Sequence, residues 1–340
     1  MRGSLLLNKE PNQQAKGNQL RRALVTGAIV LVFSAIAILY GQRLSDVVQA
    51  RLFTPSSAVA GVKDKLSMTN LGNNLFYASN PTIENASTFN TSCSSEERTT
   101  AILGCYWKRK IHLFDIKNKE LEGTLEVTAA HEMLHAAYER LNVFERAHVD
   151  RLLRTEYAAL KDDASLKQVM QYYEQAEPGA EINELHSIIG TTIAKLSPAL
   201  EKYYANYFTD RAAIVAMNGK YNAVFSELSK RANELQKQID SDGPALKQAL
   251  IDYNTSRAQV ENDISSFNAR AQSGGFSTQS TFNVARSALM ARVSQLNAER
   301  ESLNARVAAF NQKVDELNKL AVHVNELNQS INGVSAPTGL

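Results

Sequence analysis

The chain has 340 residues, 44% hydrophobic and 21% charged, with 37 Lys and Arg against 35 Asp and Glu for a net charge of +2. That length and apolar content suffice for a full core and about two domains. Five cations, Arg2, Lys9, Lys16, Arg21 and Arg22, precede residue 23 against the single acid Glu10, so the remainder carries about −2. A chain so balanced has no basic footprint for nucleic acid.

From Ala23 to Tyr40 the sequence carries no charge for 18 residues, which as a helix is about 27 Å, the minimum for a bilayer core. The run reads as an uncleaved membrane span rather than a signal peptide. It ends in Tyr40-Gly41-Gln42-Arg43 without a small-x-small site, the nearest being Ala58-Val59-Ala60. The basic residues ahead of it predict a cytoplasmic N-terminus, with the bulk of a single-pass plasma-membrane protein on the outer side. Two cysteines, Cys93 and Cys105, then fit one disulfide in an oxidising compartment better than a zinc knuckle, for which their spacing is too wide.

Residues 42 to 120 mix short apolar runs with turn-formers, such as Leu75-Phe76-Tyr77-Ala78 before Ser79-Asn80-Pro81, and read as strands and loops. The clearest strand is Ile111-His112-Leu113-Phe114-Asp115-Ile116, followed by the turn Lys117-Asn118-Lys119-Glu120. Its alternation leaves apolar side chains on both faces.

His131-Glu132-Met133-Leu134-His135 carries the chemistry. Residues i and i+4 share one helix face, so both imidazoles can address one metal ion, while Glu132 sits beside them as a general base for a water. The flanks, from Glu126 to Leu141, contain no Pro or Gly and favour the helix that this geometry requires. The bland alternative is a pair of histidines packed against carboxylates on a core helix. Helical patterning continues to about Asn218, with breaks at Glu177-Pro178-Gly179 and Ser197-Pro198. The helix after Pro178 carries Glu181, Glu184 and His186, and is where a third ligand is expected.

Beyond Asn218, apolar residues from Leu289 to Ile331 follow an alternating three-and-four spacing, and Phe225 to Phe267 supply an earlier seam. Ser273-Gly274-Gly275 is the natural reversal, and Asp242-Gly243-Pro244 a site for a kink. An antiparallel helical hairpin and a parallel coiled coil between two chains both use this pattern; two seams of similar length about one loop favour the hairpin.

A strand, an HExxH helix and a downstream helix with a carboxylate together resemble the zincin metallopeptidases. Within them, Asn183-Glu184-Leu185-His186-Ser187 is similar to the Asn-Glu-x-x-Ser segment of the gluzincins. The resemblance covers about residues 108 to 190. It implies Zn2+ as cofactor, held by His131, His135 and Glu184, with His186, Glu181 and Glu174 as competing ligands. It also implies a phenol that steadies the oxyanion, for which Tyr204 and Tyr207 are candidates, and a strand, Ile111 to Ile116, that pairs with a polypeptide substrate. Where the family has an aspartate orienting a histidine, this chain has Ile188.

The expected fold is therefore α+β and mostly helical. Its parts are a cytoplasmic basic tail (1–22), a transmembrane helix (23–41), a zincin-like domain with a small sheet (42–218), a coiled-coil hairpin (219–333) and a flexible tail (334–340). The expected function is a membrane-anchored, extracytoplasmic zinc peptidase, with an envelope protein as a partner through the coiled coil. The competing reading is a non-enzymatic coiled-coil scaffold carrying a degenerate HExxH domain.

Overall fold

The computed structural model of the chain describes residues 13–93, 103–176 and 178–331, and the side chains among them other than those of 13–20, 23, 31–40 and 176. The tail at 334–340 and most of the one at 1–22 lie outside the described residues. The described residues are mostly helical with one three-stranded sheet, and the chain divides into two compact units, the second spanning Tyr221–Ser330.

In chain order the first unit contains helices α1 (Gln13–Leu52), α2 (Ser57–Lys65) and α3 (Asn70–Ala78), strand β1 (Thr82–Glu84), and helix α4 (Ala86–Ser92). The hairpin β2 (Gly104–Trp107) and β3 (Lys110–Phe114) follows, then α5 (Thr124–Glu139), α6 (Val143–Ala159), α7 (Ala164–Ala176), α8 (Glu181–Thr192) and α9 (Pro198–Tyr204). Helix α10 (Arg211–Gln272) begins in this unit, and α11 (Gln279–Ile331) completes the set.

Helix α5 is the axis of the first unit. Ala129, Ala130, Met133, Leu134 and Ala136 are fully buried, and the helix packs against α2, α3, α8, β2 and β3. A helix surrounded on most sides needs apolar residues beyond a single stripe, and the alanines let its neighbours come close. On α8 the same need falls on Gly190, where a Cβ would sit 2.5 Å from Leu134 Cδ1 and 2.7 Å from Tyr204 Cε1.

The sheet has the order β1-β3-β2, with β1 parallel and β2 antiparallel to β3. Ile111 and Leu113 point into the main core, while Phe114 turns to the opposite face and packs with Phe89 and Cys93. Cys93 and Cys105 form a disulfide there, tying the end of α4 to β2. The strand beginning at Ile111 is thus the central strand and not an exposed edge, because β1 takes one of its sides and β2 the other. Its register puts Ile111 opposite Tyr106 and His112 opposite both Thr82 and Cys105.

The segment read as strands and loops, 42 to 120, is largely helical. Leu75-Phe76-Tyr77-Ala78 lies in α3, which starts where the Thr69 hydroxyl accepts the Gly72 N–H at 3.1 Å. Four apolar residues in a row do not distinguish a period of 2 from one of 3.6; the Thr69 cap and the burial of Leu75, Phe76 and Ala78 decide for the helix.

The membrane span at 23–41, and with it the single-pass plasma-membrane placement, is corrected. Among the described residues no helix is long and apolar enough to cross a membrane; the side chains of 31–40 fall outside that description. Helix α1 continues without a break into Gln42, Arg43 and Asp46, and its latter half is a packing element that lies on α3. There Asp46, 4% exposed, accepts both oxygens' worth of hydrogen bonds from Arg140 Nε at 2.9 and 3.0 Å.

In the second unit the rest of α10 and α11 form an antiparallel pair. Arg231 meets Glu316 at 2.6 Å, Lys313 meets Asp242 at 2.7 Å, and Asp263 pairs with Arg292, so positions fall along one helix as they rise along the other. Leu235, Val260 and Leu303 are buried, and Phe267, Phe276 and Phe282 stack around the reversal with centroids 5.2 to 5.4 Å apart. Helix α10 runs through Pro244 unbroken, with Gly243 in contact with the Phe310 ring, 3.8 Å from a built Cβ.

Candidate metal centre

His131 and His135 lie one turn apart on α5, with Nε2 atoms 3.0 Å from each other. Helix α8, drawn against α5 at Gly190, delivers Glu184 to the same point: its Oε1 is 3.4 Å from His135 Nε2 and its Oε2 is 3.7 Å from His131 Nε2. His135 and Glu184 are each 7% exposed, while His131 opens partly to solvent. The three ligand-type atoms fall within 4.8 Å of one another, forming a group that could hold a metal ion.

The spacing fits such an ion. Donors held about 2.0 to 2.1 Å from a tetrahedral metal lie about 3.3 Å apart; here the imidazole nitrogens are 3.0 Å apart, with one Glu184 oxygen 3.4 Å from His135 and the other 3.7 Å from His131. Glu184 Oε2 is buried without a hydrogen-bond partner of normal geometry, an expensive state for a carboxylate oxygen that a cation would relieve. The donor set of two imidazoles and one carboxylate suits several divalent metals, zinc among them.

The electrostatics favour the ligand forms of His135 and Glu184 and, before a cation enters, oppose that of His131. Burial, aided by the charge of His131, pulls His135 down to about 4, which keeps it neutral near pH 7. For Glu184, burial pushes upward, but the charge of His135 and the interactions with His131 and Tyr173 outweigh it and hold the carboxyl below its usual range. For His131 burial pulls downward, but the interaction of its ring N–H with the Glu184 carboxylate and the charges of Glu132 and Glu184 outweigh it and raise it.

Glu132 is 5% exposed and lies against the first residue of β2. A Cβ on Gly104 would stand 2.9 Å from Glu132 Oε1 and 2.5 Å from Thr128 Cγ2. Only glycine leaves room for both, so the strand and the carboxylate position each other. Gly104→Ala is expected to cost about 1 to 3 kcal/mol through overpacking and to displace either β2 or Glu132. A thermal melt checks the first effect, and an unchanged melting temperature would show that the contact is soft.

The other candidates are not part of this group of three. His186 is fully buried, its Nε2 in a hydrogen bond with the Tyr203 hydroxyl at 2.9 Å, and burial followed by the charges of His135 and His131 drives it down to about 3. Glu181 accepts the Gly179 N–H at 2.9 Å at the start of α8, and Glu174 is exposed on α7. Tyr204 donates its hydroxyl to the His186 carbonyl at 2.7 Å, and the Tyr207 hydroxyl lies 3.2 Å from that of Tyr203. These phenols form a network behind His186, and their recorded bonds present neither Tyr204 nor Tyr207 to the two histidines and Glu184.

Two residues of the site escaped the sequence reading. Tyr173 of α7 is among the groups that hold the Glu184 carboxyl below its usual range, with no local signal to mark it. Gly104 did carry one, since a glycine inside a strand often marks a close approach. Compared with known proteins, the chain matches no family model, no curated protein and no solved structure. Fold and site together define a helical α+β domain with a two-histidine, one-glutamate candidate metal centre.

Proposed function

We propose that the chain is a zinc-dependent peptidase acting on polypeptides. The observation that carries this reading is the convergence of His131, His135 and Glu184, with Glu132 adjoining them on α5 and abutting Gly104 of the outer strand. A zinc ion held by those three side chains would polarise a carbonyl oxygen and make water an effective nucleophile near neutral pH. Glu132, placed one residue round the helix from His131, takes the proton of the attacking water and returns it to the departing amine. Tyr173 fixes the carboxylate of Glu184, and the burial of His135 keeps its lone pair free.

The substrate lies along β2. In the sheet, β3 is the only neighbour of β2 among the described residues, so the other edge of β2 has backbone groups for an extended polypeptide to pair with. Because Gly104 is at the start of β2, such a peptide would have its backbone beside Glu132.

The test is hydrolysis of an unfolded polypeptide by the full chain after chelation and after addition of one equivalent of zinc. Loss of cleavage in the first state and recovery in the second are expected. Cleavage indifferent to the chelator would overturn the reading. A chain that binds zinc and cleaves nothing would favour a non-enzymatic protein whose working part is the helical hairpin.

A further inference from the structure

The turn between β2 and β3 is unlike the rest of the sheet. Trp107, Lys108, Arg109 and Lys110 are four consecutive exposed residues, and Trp107, an aromatic at 57% exposure, finds no place in either core cluster. Lys108 and Arg109 both have positive φ, 49° and 64°. A two-residue hairpin turn of this kind is ordinarily made by Asn-Gly or Gly-Gly. Two long cationic side chains in that conformation cost more than glycine would. Strain of this sort persists where the side chains serve a purpose.

The charge there is nearly unopposed. Arg109 comes no closer than 3.9 Å to Glu139, both being largely exposed, and the Lys108 ammonium lies over the Trp107 ring at 5.8 Å. Among the described residues no carboxylate is recorded in an ion pair with Lys108 or Lys110. The tip therefore presents an exposed aromatic ring with Lys108 over it and two further cations beside it in sequence, of which Arg109 reaches towards Glu139 of α5.

Its place along β2 gives the tip a role. Gly104 touches Glu132 and Trp107 is three residues further on, about 10 Å at the rise of a strand. A peptide paired along β2 with its reacting bond beside Glu132 would set a residue two to four positions from that bond against the tip. We propose that the Trp107–Lys110 tip is a specificity subsite that selects polypeptides with Asp or Glu at that distance from the cleaved bond. The proposal rests on the peptidase reading above.

The experiment uses the zinc-loaded full chain and matched peptides that carry Asp, Gln or Lys at each of the four positions on either side of the cleaved bond. Exposed ion pairs are each worth at most a few-fold, so three cations should give a kcat/KM about 3 to 30 times higher for Asp than for Lys. The preference should be confined to positions two to four on one side and flatten at 1 M salt. Lys108→Gln with Lys110→Gln should reduce the ratio towards 1, and Lys108→Glu with Lys110→Glu should invert it. Cleavage of the Gln peptide should stay within about twofold in both variants, a sign that the fold and the metal centre are intact. A wild type indifferent to charge, or a preference unmoved by the substitutions, would overturn the subsite while leaving the peptidase standing. Zinc-loaded protein that cleaves none of the peptides would instead remove the peptidase reading, and the subsite with it.

Discussion

The Glu132→Gln protein is expected to bind a metal ion as tightly as the wild type and to hydrolyse polypeptides about 10² to 10⁴ times more slowly. That factor is what a positioned general base contributes. The amide keeps the shape of the carboxylate against Gly104, so the packing at the start of β2 is preserved. Glu184→Ala should do the reverse. It leaves Glu132 in place and removes a group lying 3.4 Å from His135 Nε2, so zinc should bind at least about 100-fold more weakly, since even outer partners of metal ligands are worth 10- to 100-fold. Titration calorimetry with zinc separates the two variants, and a peptide assay on the same samples completes the comparison. Equal zinc affinity in Glu184→Ala would remove α8 from the site. Undiminished hydrolysis by Glu132→Gln would leave the peptidase reading without its base.

The second large effect is structural. Arg140 follows α5 directly, and its guanidinium is satisfied by Asp46 on α1, the Tyr106 hydroxyl at 2.9 Å, the Ala136 carbonyl at 2.9 Å and Ser79 at 3.4 Å. It thus joins α1, β2 and the end of α3 to the helix that bears both histidines. Asp46→Ala deletes the sole anion in this group and leaves a buried cation short of its partner, which costs about 3 to 5 kcal/mol. At about 2 to 4 °C per kcal/mol for a domain of this size, the melting temperature should fall by about 6 to 20 °C. Adding Arg140→Met to Asp46→Ala should recover part of the loss, because an uncharged side chain needs no counterion. A melting temperature unchanged by Asp46→Ala would mean that the end of α1 does not dock on Arg140.

What was legible in the sequence was local. The spacing of His131 and His135, one helical turn, puts two imidazoles on one face whatever surrounds them, and Glu132 comes with them by adjacency. The seams of α10 and α11 are also local, since they need only the repeat of apolar residues along each helix. The disulfide follows from the presence of two cysteines. Where local pattern and physical property parted, the reading failed. Among the described residues no helix is long and apolar enough to cross a membrane, and a four-residue apolar run at Leu75 served a helix rather than a strand.

Everything that required two distant segments to meet was decided by tertiary structure. Glu184 and His186 stand two residues apart on α8, and the sequence admits either. The close approach of α8 to α5 at Gly190 turns Glu184 to the histidines and buries His186 among tyrosines. The strand at Ile111 has the same alternation whether it lies at an edge or in the middle; pairing with β1 and β2 puts it in the middle and makes β2, with Gly104 at Glu132, an outer strand. The amino-acid sequence by itself determined the periods of its helices and the chemistry of the HExxH turn, because these depend on neighbours in the chain. Which carboxylate completes the centre, and which strand lies beside it, depend on packing between segments far apart in sequence, and only the folded chain specifies them.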